Sequence, residues 1–383
     1  MAKISIIGTG FVSDLYMRSL TTFPDIKILK AYDRDAARLQ AFTNFWNVAP
    51  ASSMEDLLAI SGNDDEIPDL ILNLTNPGSH YEVSKSCLEA GRNVYSEKPL
   101  AIKMEDAYAL HALAVSRNLV LASAPCSFLS EVAQTLWLAV RENMIGKPLL
   151  VYAELDDDFI TQAPYRKWMS ESGAPWPYRD EFLVGCTLEH AGYYLCWLMM
   201  IFGSVEKVVA ASAELVKNKL DDLDKSAPDF STAILFFKSG VVARLTCGIV
   251  APHNHSLRVI GDKGILEVNE SWNNSASVKL RKRLAIRRKL INSPFAKRLK
   301  LKGVTHPKVP RRGAAAMNFA LGPAEVLAAL QEGRSSRASA DFALHLNEVT
   351  LAIQNSLDST GVQIMKTSCP EQLPMPWATW TQN

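Results

Sequence analysis

A glycine-rich turn near the start of the chain is the first candidate for chemistry. It follows a short apolar run and opens a helical pattern, and Ser13 stands where a third small residue would allow close helix packing. Such a turn lets a pyrophosphate approach the backbone, while the helix N-terminus supplies N–H groups for the anion. The turn predicts a dinucleotide site, although glycine-rich turns alone are weak signals. Its residues are Gly8, Thr9, Gly10, Phe11 and Val12.

A carboxylate after the second predicted strand strengthens the dinucleotide interpretation. Asp33 lies 20 residues after Ser13, where a carboxylate can accept hydrogen bonds from a ribose diol and repel a 2′-phosphate. An alternative role for Asp33 is to cap the next helix. Because of this carboxylate, we expect NAD as the cofactor. Arg34 beside it could accommodate a 2′-phosphate, so NADP is the alternative.

Two later segments lie at the ends of predicted parallel strands, one beginning at Asn73 at the end of the third strand and one at Glu97 after the fourth. Ligands of open parallel sheets bind beyond the carboxyl ends of the strands, so both segments are expected to reach the cofactor. Lys98 is the sharpest candidate, because an ammonium beside a nicotinamide could polarise a hydroxyl or ketone. Its alternative is an ordinary surface lysine. The two segments supply Asn73, Thr75, Asn76, Pro77, His80, Glu97 and Lys98.

The elements that must position these residues alternate in type. Short apolar runs separated by helical patterns predict parallel βαβ units and a doubly wound Rossmann sheet. Between the third and fourth strands, Ser79 and Glu82 have capping-box spacing and Gly91 follows the last helical turn. We assign residues 1–124 to this dinucleotide-binding domain. Its strands are predicted at 3–7, 27–32, 70–74, 93–95 and 119–122.

After about residue 131 the pattern changes. Alternating apolar runs joined by turn residues at 238–240 and 261–264 predict antiparallel hairpins. A continuous helix is predicted over 187–202, and another from Gly322 to Gly333. Residues 125–383 are therefore predicted to form an α+β domain with a large, mainly antiparallel sheet, in an α/β protein.

Composition sets the outer limits. The chain has 383 residues, 48% of them hydrophobic and 21% charged, which favours two globular domains. Its longest strongly apolar stretch, 195–202, is much shorter than the roughly 20 residues that cross a bilayer. The six cysteines contain no CxxC pair and are typical of reduced thiols. These features predict a cytoplasmic protein without a disulfide framework or a metal site.

One segment departs from the balanced charge. Residues 279–312 hold 14 of the 41 lysines and arginines and no acid, so the remainder carries 27 bases against 40 acids. Such a block can attract anions, whereas a solvated basic hairpin or loop is the plainer interpretation. Interleaved leucines and isoleucines leave a peripheral contact with an anionic membrane open. No pattern for nucleic-acid binding is visible.

Six segments of the chain match the pattern of a known family. They are the turn at 8–13, Thr-Asn-Pro-Gly-Ser-His at 75–80, Ala-Gly-Arg-Asn-Val at 90–94, Glu-Lys-Pro-Leu at 97–100, Pro-Asp-Phe at 228–230 and Gly-Asp-Lys-Gly at 261–264. Through these segments the chain resembles the Gfo/Idh/MocA family, named after glucose-fructose oxidoreductase, inositol dehydrogenase and rhizopine catabolism. The resemblance implies a substrate-carrying second domain and NAD(P)-dependent oxidation or reduction of a sugar, nucleotide sugar or cyclitol. It also implies a homodimer or homotetramer.

The start of the central helix departs from the family pattern. The resemblance places His190 where the family has an aspartate and Tyr194 where it has a histidine. Residues four apart share a helix face, and flanking cations would lower the pKa of a phenol. We predict Tyr194 as acid/base, Lys98 as its electrostatic partner, and His190 as an orienting residue or alternative acid/base. The alternative for His190 and Tyr194 is an ordinary place in a core helix.

Aromatic residues and arginines precede that helix, where the family places loops that contact substrate. Arginine beside aromatic rings suits a sugar ring with an anionic group, and the equal alternative is a rigid lid or a subunit contact. His253 and His255 have no further ligand at metal-binding spacing and are interpreted as a surface feature at a strand edge. The predicted substrate residues are Tyr165, Arg166, Trp168 and Arg179.

Three functions remain open at this point. The main prediction is hydride transfer between a nicotinamide and a secondary alcohol or ketone of a small carbohydrate-like substrate, which the basic residues suggest is anionic. One rival is an NAD-dependent glycosidase with a transient redox step. The other is a non-catalytic NAD(P)-binding sensor or scaffold, suggested by the two altered helix positions.

Overall fold

The computed structural model describes residues 1–59, 67–220, 222, 226–359 and 361–380. These residues form two compact units. Unit 1 consists of Met1–Cys126, Gln162–Val184 and Asn318–Asn347, and unit 2 of Ser127–Thr161, Gly185–Met317 and Glu348–Asn383. The first change of unit falls close to the predicted boundary after residue 124, but two later segments return to unit 1. The second predicted domain, 125–383, is therefore not one continuous body.

The strands and helices are numbered here in chain order. The strands are β1 (Ala2–Ile7), β2 (Ile26–Tyr32), β3 (Ala49–Pro50), β4 (Leu70–Asn73), β5 (Val94–Ser96), β6 (Leu121–Ser123), β7 (Pro148–Asp156), β8 (Val205–Ala213), β9 (Phe230–Phe237), β10 (Val242–Gly248), β11 (Leu257–Gly261), β12 (Gly264–Val268), β13 (Val278–Ile286), β14 (Lys289–Asn292), β15 (Lys297–Leu299) and β16 (Gln363–Ile364). The helices are α1 (Phe11–Leu20), α2 (Ala36–Trp46), α3 (Met54–Leu58), α4 (His80–Glu89), α5 (Met104–Ser116), α6 (Glu131–Arg141), α7 (Tyr178–Val184), α8 (Gly192–Phe202), α9 (Leu321–Glu332) and α10 (Ala340–Gln354).

Unit 1 contains a parallel sheet of six strands. Their order is β3-β2-β1-β4-β5-β6, so β1 and β4 are neighbours at the point where the order reverses. Every residue of β4 is buried, as expected for a central strand of a sheet covered on both faces. Ligands of such sheets bind beyond the carboxyl ends of the strands at this switch point. The predicted doubly wound parallel sheet is confirmed.

The helix ends of unit 1 agree with the sequence only in part. Asp35 caps α2 by accepting the Arg38 N–H at 3.0 Å, so the alternative capping role for Asp33 is not realised. The predicted capping box at Ser79 is wrong, because Pro77–Ser79 is a 3-10 turn and the Ser79 side chain makes no capping hydrogen bond. Gly91, with φ of +74°, follows α4 as predicted.

Unit 2 is built on a ten-stranded sheet. Its order is β14-β13-β12-β11-β7-β10-β9-β8-β16, with β15 paired to β13. Among the pairings that the structure describes, β7 with β10 is parallel and the others are antiparallel. The two predicted turns join β9 to β10 and β11 to β12. The mainly antiparallel sheet is confirmed.

The basic segment folds as a hairpin at one end of this sheet. Strands β13 and β14 pair with Leu284 opposite Ile291 and Ile286 opposite Lys289, which puts these four side chains on one face. The apolar members are 40%, 38% and 52% exposed for Leu284, Ile291 and Ile286. The predicted solvated basic hairpin is therefore present, with apolar side chains exposed among its cations.

The central helix of unit 2 is not regular. Thr187–Ala191 forms a π-helical turn, and the α-helix α8 begins only at Gly192. The sequence predicted one continuous α-helix over 187–202. A π turn widens the helix locally, so the four-residue spacing of His190 and Tyr194 does not imply the shared face of an α-helix. Such turns are frequent at functional sites.

One helical stretch of the described residues, Gly313–Glu332, is long and apolar enough to cross a membrane. However, 61% of its most apolar window is buried inside the protein, as in the core helix of many globular proteins. A Cβ at Gly322 would lie 2.3 Å from the Tyr95 hydroxyl oxygen. This close packing makes the stretch weak evidence for a membrane span.

Candidate cofactor and catalytic sites

The glycine-rich turn has a backbone that requires glycine at its first glycine position, Gly8. Gly8 has φ of +95°, and a Cβ there would lie 2.6 Å from the backbone of Leu74. Gly10 precedes α1, no side chain caps this helix end, and a Cβ at Gly10 would meet nothing within 4 Å. Phe11 and Val12 open the helix. The N-terminus of α1 is thus an open cradle that fits a pyrophosphate.

Asp33 holds this turn from the end of β2. One carboxylate oxygen accepts the Thr9 N–H at 2.8 Å and the Thr9 hydroxyl at 3.0 Å. The other accepts the Asp35 N–H at 2.9 Å. Because each oxygen has further acceptor capacity, Asp33 can also receive a ribose hydroxyl. Arg34 beside it is exposed. The structure therefore brings the predicted carboxylate and the predicted turn together.

The loop after β4 is fixed by Asn73 and His80, which are both buried. Asn73 donates to the His80 carbonyl at 3.1 Å and accepts the Thr75 hydroxyl at 2.7 Å. The His80 ring reaches two carbonyls, with Nδ1 2.7 Å from the Pro99 oxygen and Nε2 2.9 Å from the Thr75 oxygen. These side chains position the backbone that follows β4 and β5.

Glu97 positions Lys98. Its buried carboxylate accepts the Tyr16 hydroxyl at 2.7 Å and the Lys98 N–H at 3.0 Å. Burial, and then the charge of Glu97, raise the pKa of Tyr16 well above 10, so the phenol stays a donor. Lys98 is half-buried and lies two residues after β5, at the carboxyl edge of the parallel sheet. An ammonium at this edge can act on a group bound beside it.

The segment Gln162–Val184, called the aromatic loop below, contains the four predicted substrate residues. Tyr165 is buried and Trp168 half-buried, and both pack against other rings of the loop. Arg166 and Arg179 are exposed. The ring centroids nearest to Tyr165 are those of Trp176 at 6.1 Å, Tyr178 at 5.3 Å and Phe182 at 5.2 Å. The rings therefore build the loop, and the arginines are its exposed cations.

Asp14 fastens the aromatic loop to α1. One of its oxygens accepts the N–H and hydroxyl of Ser172 at 2.7 and 2.9 Å, and the other accepts the Trp46 indole N–H at 2.6 Å. Asn76 donates to Asp180 at 3.4 Å as a further link. Asp14 is fully buried. This role was not predicted, since its only local signal is an acid in the first helical turn after the glycines.

In unit 2, His190 faces a buried carboxylate. Its Nδ1 lies 3.1 Å from Asp157 Oδ2, and the two side chains are 10% and 8% exposed. Asp157 directly follows β7 and donates its N–H to the Gly248 carbonyl at 2.8 Å. The contact has the distance of an ion pair but not the geometry of a hydrogen bond, and imidazole is the side chain most often used for proton transfer. This pair can therefore give and take a proton.

Tyr194 has a different environment. It is fully buried, and its hydroxyl donates to the His255 carbonyl. Burial, and then the charge of Glu270, raise its pKa well above 10. The predicted lowering of this pKa is therefore wrong, because the hydroxyl is enclosed by protein and the charge of Glu270 acts on it in the raising direction.

The two histidines after β10 differ from the surface feature that was predicted. His253 is exposed, but the side chain of His255 is completely buried. Glu270 Oε1 lies 3.0 Å from His255 Nδ1, and Oε2 lies 3.1 Å from His253 Nε2. Burial tends to raise the pKa of Glu270, but hydrogen bonds from His255 and the Trp272 N–H lower it to about 2. The prediction of a surface feature is therefore wrong for His255, which is buried. Asp157 is a further acidic neighbour, with Oδ1 3.9 Å from His255 Nε2.

Asp157 and Glu270 were not predicted from the sequence. Asp157 lies in a run of three aspartates, 156–158, directly after a predicted strand. Acids at a strand end are a usable signal for a site, but the run does not indicate which of the three side chains turns inward. Nothing local connects Glu270 with the histidines that precede it.

Two family sequence models match the chain. "Oxidoreductase family, NAD-binding Rossmann fold" matches residues 2–124, and "GFO/IDH/MocA C-terminal domain" matches residues 133–267. Together they cover more than half of the chain, which belongs to the Gfo/Idh/MocA family of NAD-binding oxidoreductases. The predicted enzyme class and the nicotinamide cofactor are confirmed.

Characterised proteins resemble the chain at low identity. A trans-1,2-dihydrobenzene-1,2-diol dehydrogenase from Xenopus laevis is 24% identical over 70% of this chain and 74% of its own. Levoglucosan dehydrogenase, solved with NADH and levoglucosan, has a TM-score of 0.74 and 15% identity over 96% of this chain and 100% of its own. The WlbA dehydrogenase from Bordetella pertussis, solved with NADH and UDP-GlcNAcA, has a TM-score of 0.70 and 18% identity over 97% and 98%. These structural likenesses support the fold.

Proposed function

We propose that this protein transfers a hydride between NAD and a secondary alcohol or ketone of a carbohydrate-like substrate. The observation that carries the proposal is the contact of Asp33 with Thr9, because it joins a pyrophosphate-binding turn to a carboxylate placed for a ribose diol. The bound nicotinamide supplies the hydride chemistry. Asp33 favours NAD over NADP, since it would repel a 2′-phosphate.

We assign the proton transfer to His190 in preference to Tyr194. His190 has the Asp157 carboxylate 3.1 Å from its ring, and an imidazole beside an anion is a suitable group for proton transfer. The Tyr194 hydroxyl is committed to a backbone carbonyl. We propose Lys98 separately as an electrostatic residue, and the Glu97 carboxylate binds its backbone N–H.

The substrate class follows from the exposed cations of the aromatic loop. Arg166 and Arg179 suit an anionic group on a sugar, and Arg166 lies 5.3 Å from the Tyr178 ring centroid. Nucleotide sugars and acidic sugars are the substrates with this chemistry. Relatives named for a dihydrodiol and for levoglucosan, and the WlbA dehydrogenase solved with UDP-GlcNAcA, are compatible with a cyclic secondary alcohol.

We also propose a cytoplasmic location. The six cysteines carry no disulfide, which suits the reducing cytoplasm.

A further proposed partner is anionic lipid, bound by the basic hairpin. This hairpin carries seven exposed or partly exposed cations and the apolar side chains Leu284, Ile286 and Ile291, a combination that suits peripheral contact with a membrane surface. The cations are Lys279, Arg281, Lys282, Arg283, Arg287, Arg288 and Lys289. A homodimer or homotetramer remains our expectation from the family.

The decisive experiment loads the purified protein with NAD and adds pools of free sugars, sugar acids, cyclitols and nucleotide sugars. A rise in reduced-nicotinamide fluorescence with one pool is the expected result. Cleavage of an aryl glycoside without net NAD consumption would instead indicate the glycosidase. Tight NAD binding without turnover in any pool, in either direction, would indicate the sensor or scaffold.

A further inference from the structure

A cluster of metal-ligand side chains lies in unit 2, and it shares only Asp157, which also faces His190, with the residues assigned to the proposed reaction. Asp157 follows β7, while His253 and His255 lie between β10 and β11. One ligand-capable atom of each residue lies within 4.8 Å of those of the other two. Two imidazoles and a carboxylate are a common ligand set for zinc and related transition ions.

A single carboxylate orients both imidazoles. Glu270 Oε1 faces His255 Nδ1, and Glu270 Oε2 faces His253 Nε2. When these nitrogens donate to Glu270, the opposite nitrogens, His255 Nε2 and His253 Nδ1, present lone pairs. Histidine ligands of metals usually donate their second N–H to a carboxylate or carbonyl in this way.

An independent observation is the state of His255 Nε2. This atom is buried, and among the residues that the structure describes it has no hydrogen-bond partner. Its closest ionic neighbour is Asp157 Oδ1 at 3.9 Å. A tetrahedral ion with bonds of roughly 2.0–2.2 Å holds adjacent ligands a little closer than this, so small side-chain movements would suffice. A bound ion would satisfy the nitrogen and the carboxylate together.

We propose that Asp157, His253 and His255 bind one divalent transition ion of the zinc class, with Glu270 as the outer carboxylate. Three protein ligands leave a fourth position for water or another oxygen ligand. The His253 side chain is 40% exposed and gives the ion access from solvent. Asp157 would bind the ion through Oδ1 and keep Oδ2 against His190.

The test uses the full chain, stripped with a chelator and titrated with Co²⁺ and then Zn²⁺. We expect one Co²⁺ per chain, visible absorption bands typical of a four- or five-coordinate ion, and displacement of these bands by Zn²⁺. The readout needs neither NAD nor substrate, so it is independent of the proposed function. Absence of saturable one-to-one binding would overturn the proposal.

Variants locate the ion. His253→Ala should abolish the Co²⁺ bands while the circular dichroism stays unchanged, because this side chain is exposed. Glu270→Gln should weaken binding about 10–100-fold, as expected for an outer partner of a histidine ligand. His111→Ala is the matched control, since His111 is a partly exposed imidazole paired with Asp341 in unit 1. Unchanged binding in His253→Ala would also overturn the assignment.

Discussion

Thr9 donates both its backbone N–H and its hydroxyl to the same carboxylate oxygen of Asp33, at 2.8 and 3.0 Å. The residue that should select the ribose therefore also fixes the turn that should hold the pyrophosphate. Loss of the Asp33 charge is expected to affect the shape of the turn and the choice of cofactor at once.

The first prediction concerns this carboxylate. Asp33→Ser should lower the affinity for NADH about 10-fold or more, because it removes a charge-assisted hydrogen bond, and NADPH should lose less since the repulsion disappears. Fluorescence titration with each reduced cofactor measures the two constants. Asp35→Ser is the control, because Asp35 caps α2 but does not contact Thr9. Equal losses for both cofactors would contradict a role in selection.

The second prediction concerns Lys98. Lys98→Met should reduce kcat by about 100-fold or more while NADH binding changes little, since the ammonium is expected to act in the reaction itself. The pool that gives turnover supplies the substrate for steady-state kinetics. Lys103→Met, an exposed lysine five residues later, should leave kcat unchanged. A Lys98→Met enzyme with normal kcat would remove the assignment.

The third prediction separates the two candidate acid/base residues. His190→Gln should lower kcat by about 100-fold or more. Tyr194→Phe should retain most of kcat and lower the stability by about 1 kcal/mol, because it leaves the buried His255 carbonyl without this donor. Turnover assays and denaturant unfolding measure the two effects. The opposite ranking of the kcat values would restore Tyr194 as the acid/base.

The fourth prediction concerns a buried ion pair in unit 1. Arg334 and Arg337 both contact Glu325, whose side chain is 2% exposed. Burial tends to raise the pKa of Glu325, but the hydrogen bonds from Arg334 and the Arg337 N–H lower it below 4.5. Glu325→Gln should cost about 2–3 kcal/mol at neutral pH, less than a fully buried pair because Arg334 is partly exposed.

The pH dependence of this effect has a definite sign. A carboxyl with a lowered pKa in the folded state stabilises the protein above its unfolded pKa, and this stabilisation is lost as the pH falls through the folded pKa. The difference between the wild type and Glu325→Gln should therefore shrink in acid. Urea unfolding at several pH values measures it. Glu332→Gln, which removes an exposed partner of the same Arg334, should cost far less.

The fifth prediction concerns the basic hairpin. The protein should sediment with vesicles that contain anionic lipid, lose this binding at high salt, and ignore zwitterionic vesicles. Leu284→Ser combined with Ile286→Ser should weaken the binding, because it removes the apolar contacts on one hairpin face. Leu357→Ser, an exposed leucine outside the hairpin, is the control. Failure to bind anionic vesicles at low salt would exclude this partner.

The sequence by itself determined the features that depend on neighbouring residues. The glycine-rich turn, the alternation that gives each sheet, and the stops at Gly91 and Gly333 follow from local sterics and from the periodicity of side chains. The wrong prediction of a capping box at Ser79 also has a local cause. Two residues before Ser79, Pro77 begins a 3-10 turn that includes Ser79.

Only the tertiary structure decided which distant side chains meet. Asp14 accepts hydrogen bonds from Ser172, which lies 158 residues away in the aromatic loop. Asp157, which follows β7, lies beside His190 and His255, which belong to later parts of the chain. Burial also raised the pKa of Tyr194, opposite to the lowering expected from the flanking cations Lys98 and His190. Contacts and desolvation depend on where the whole chain folds back, and no spacing within a short window contains that information.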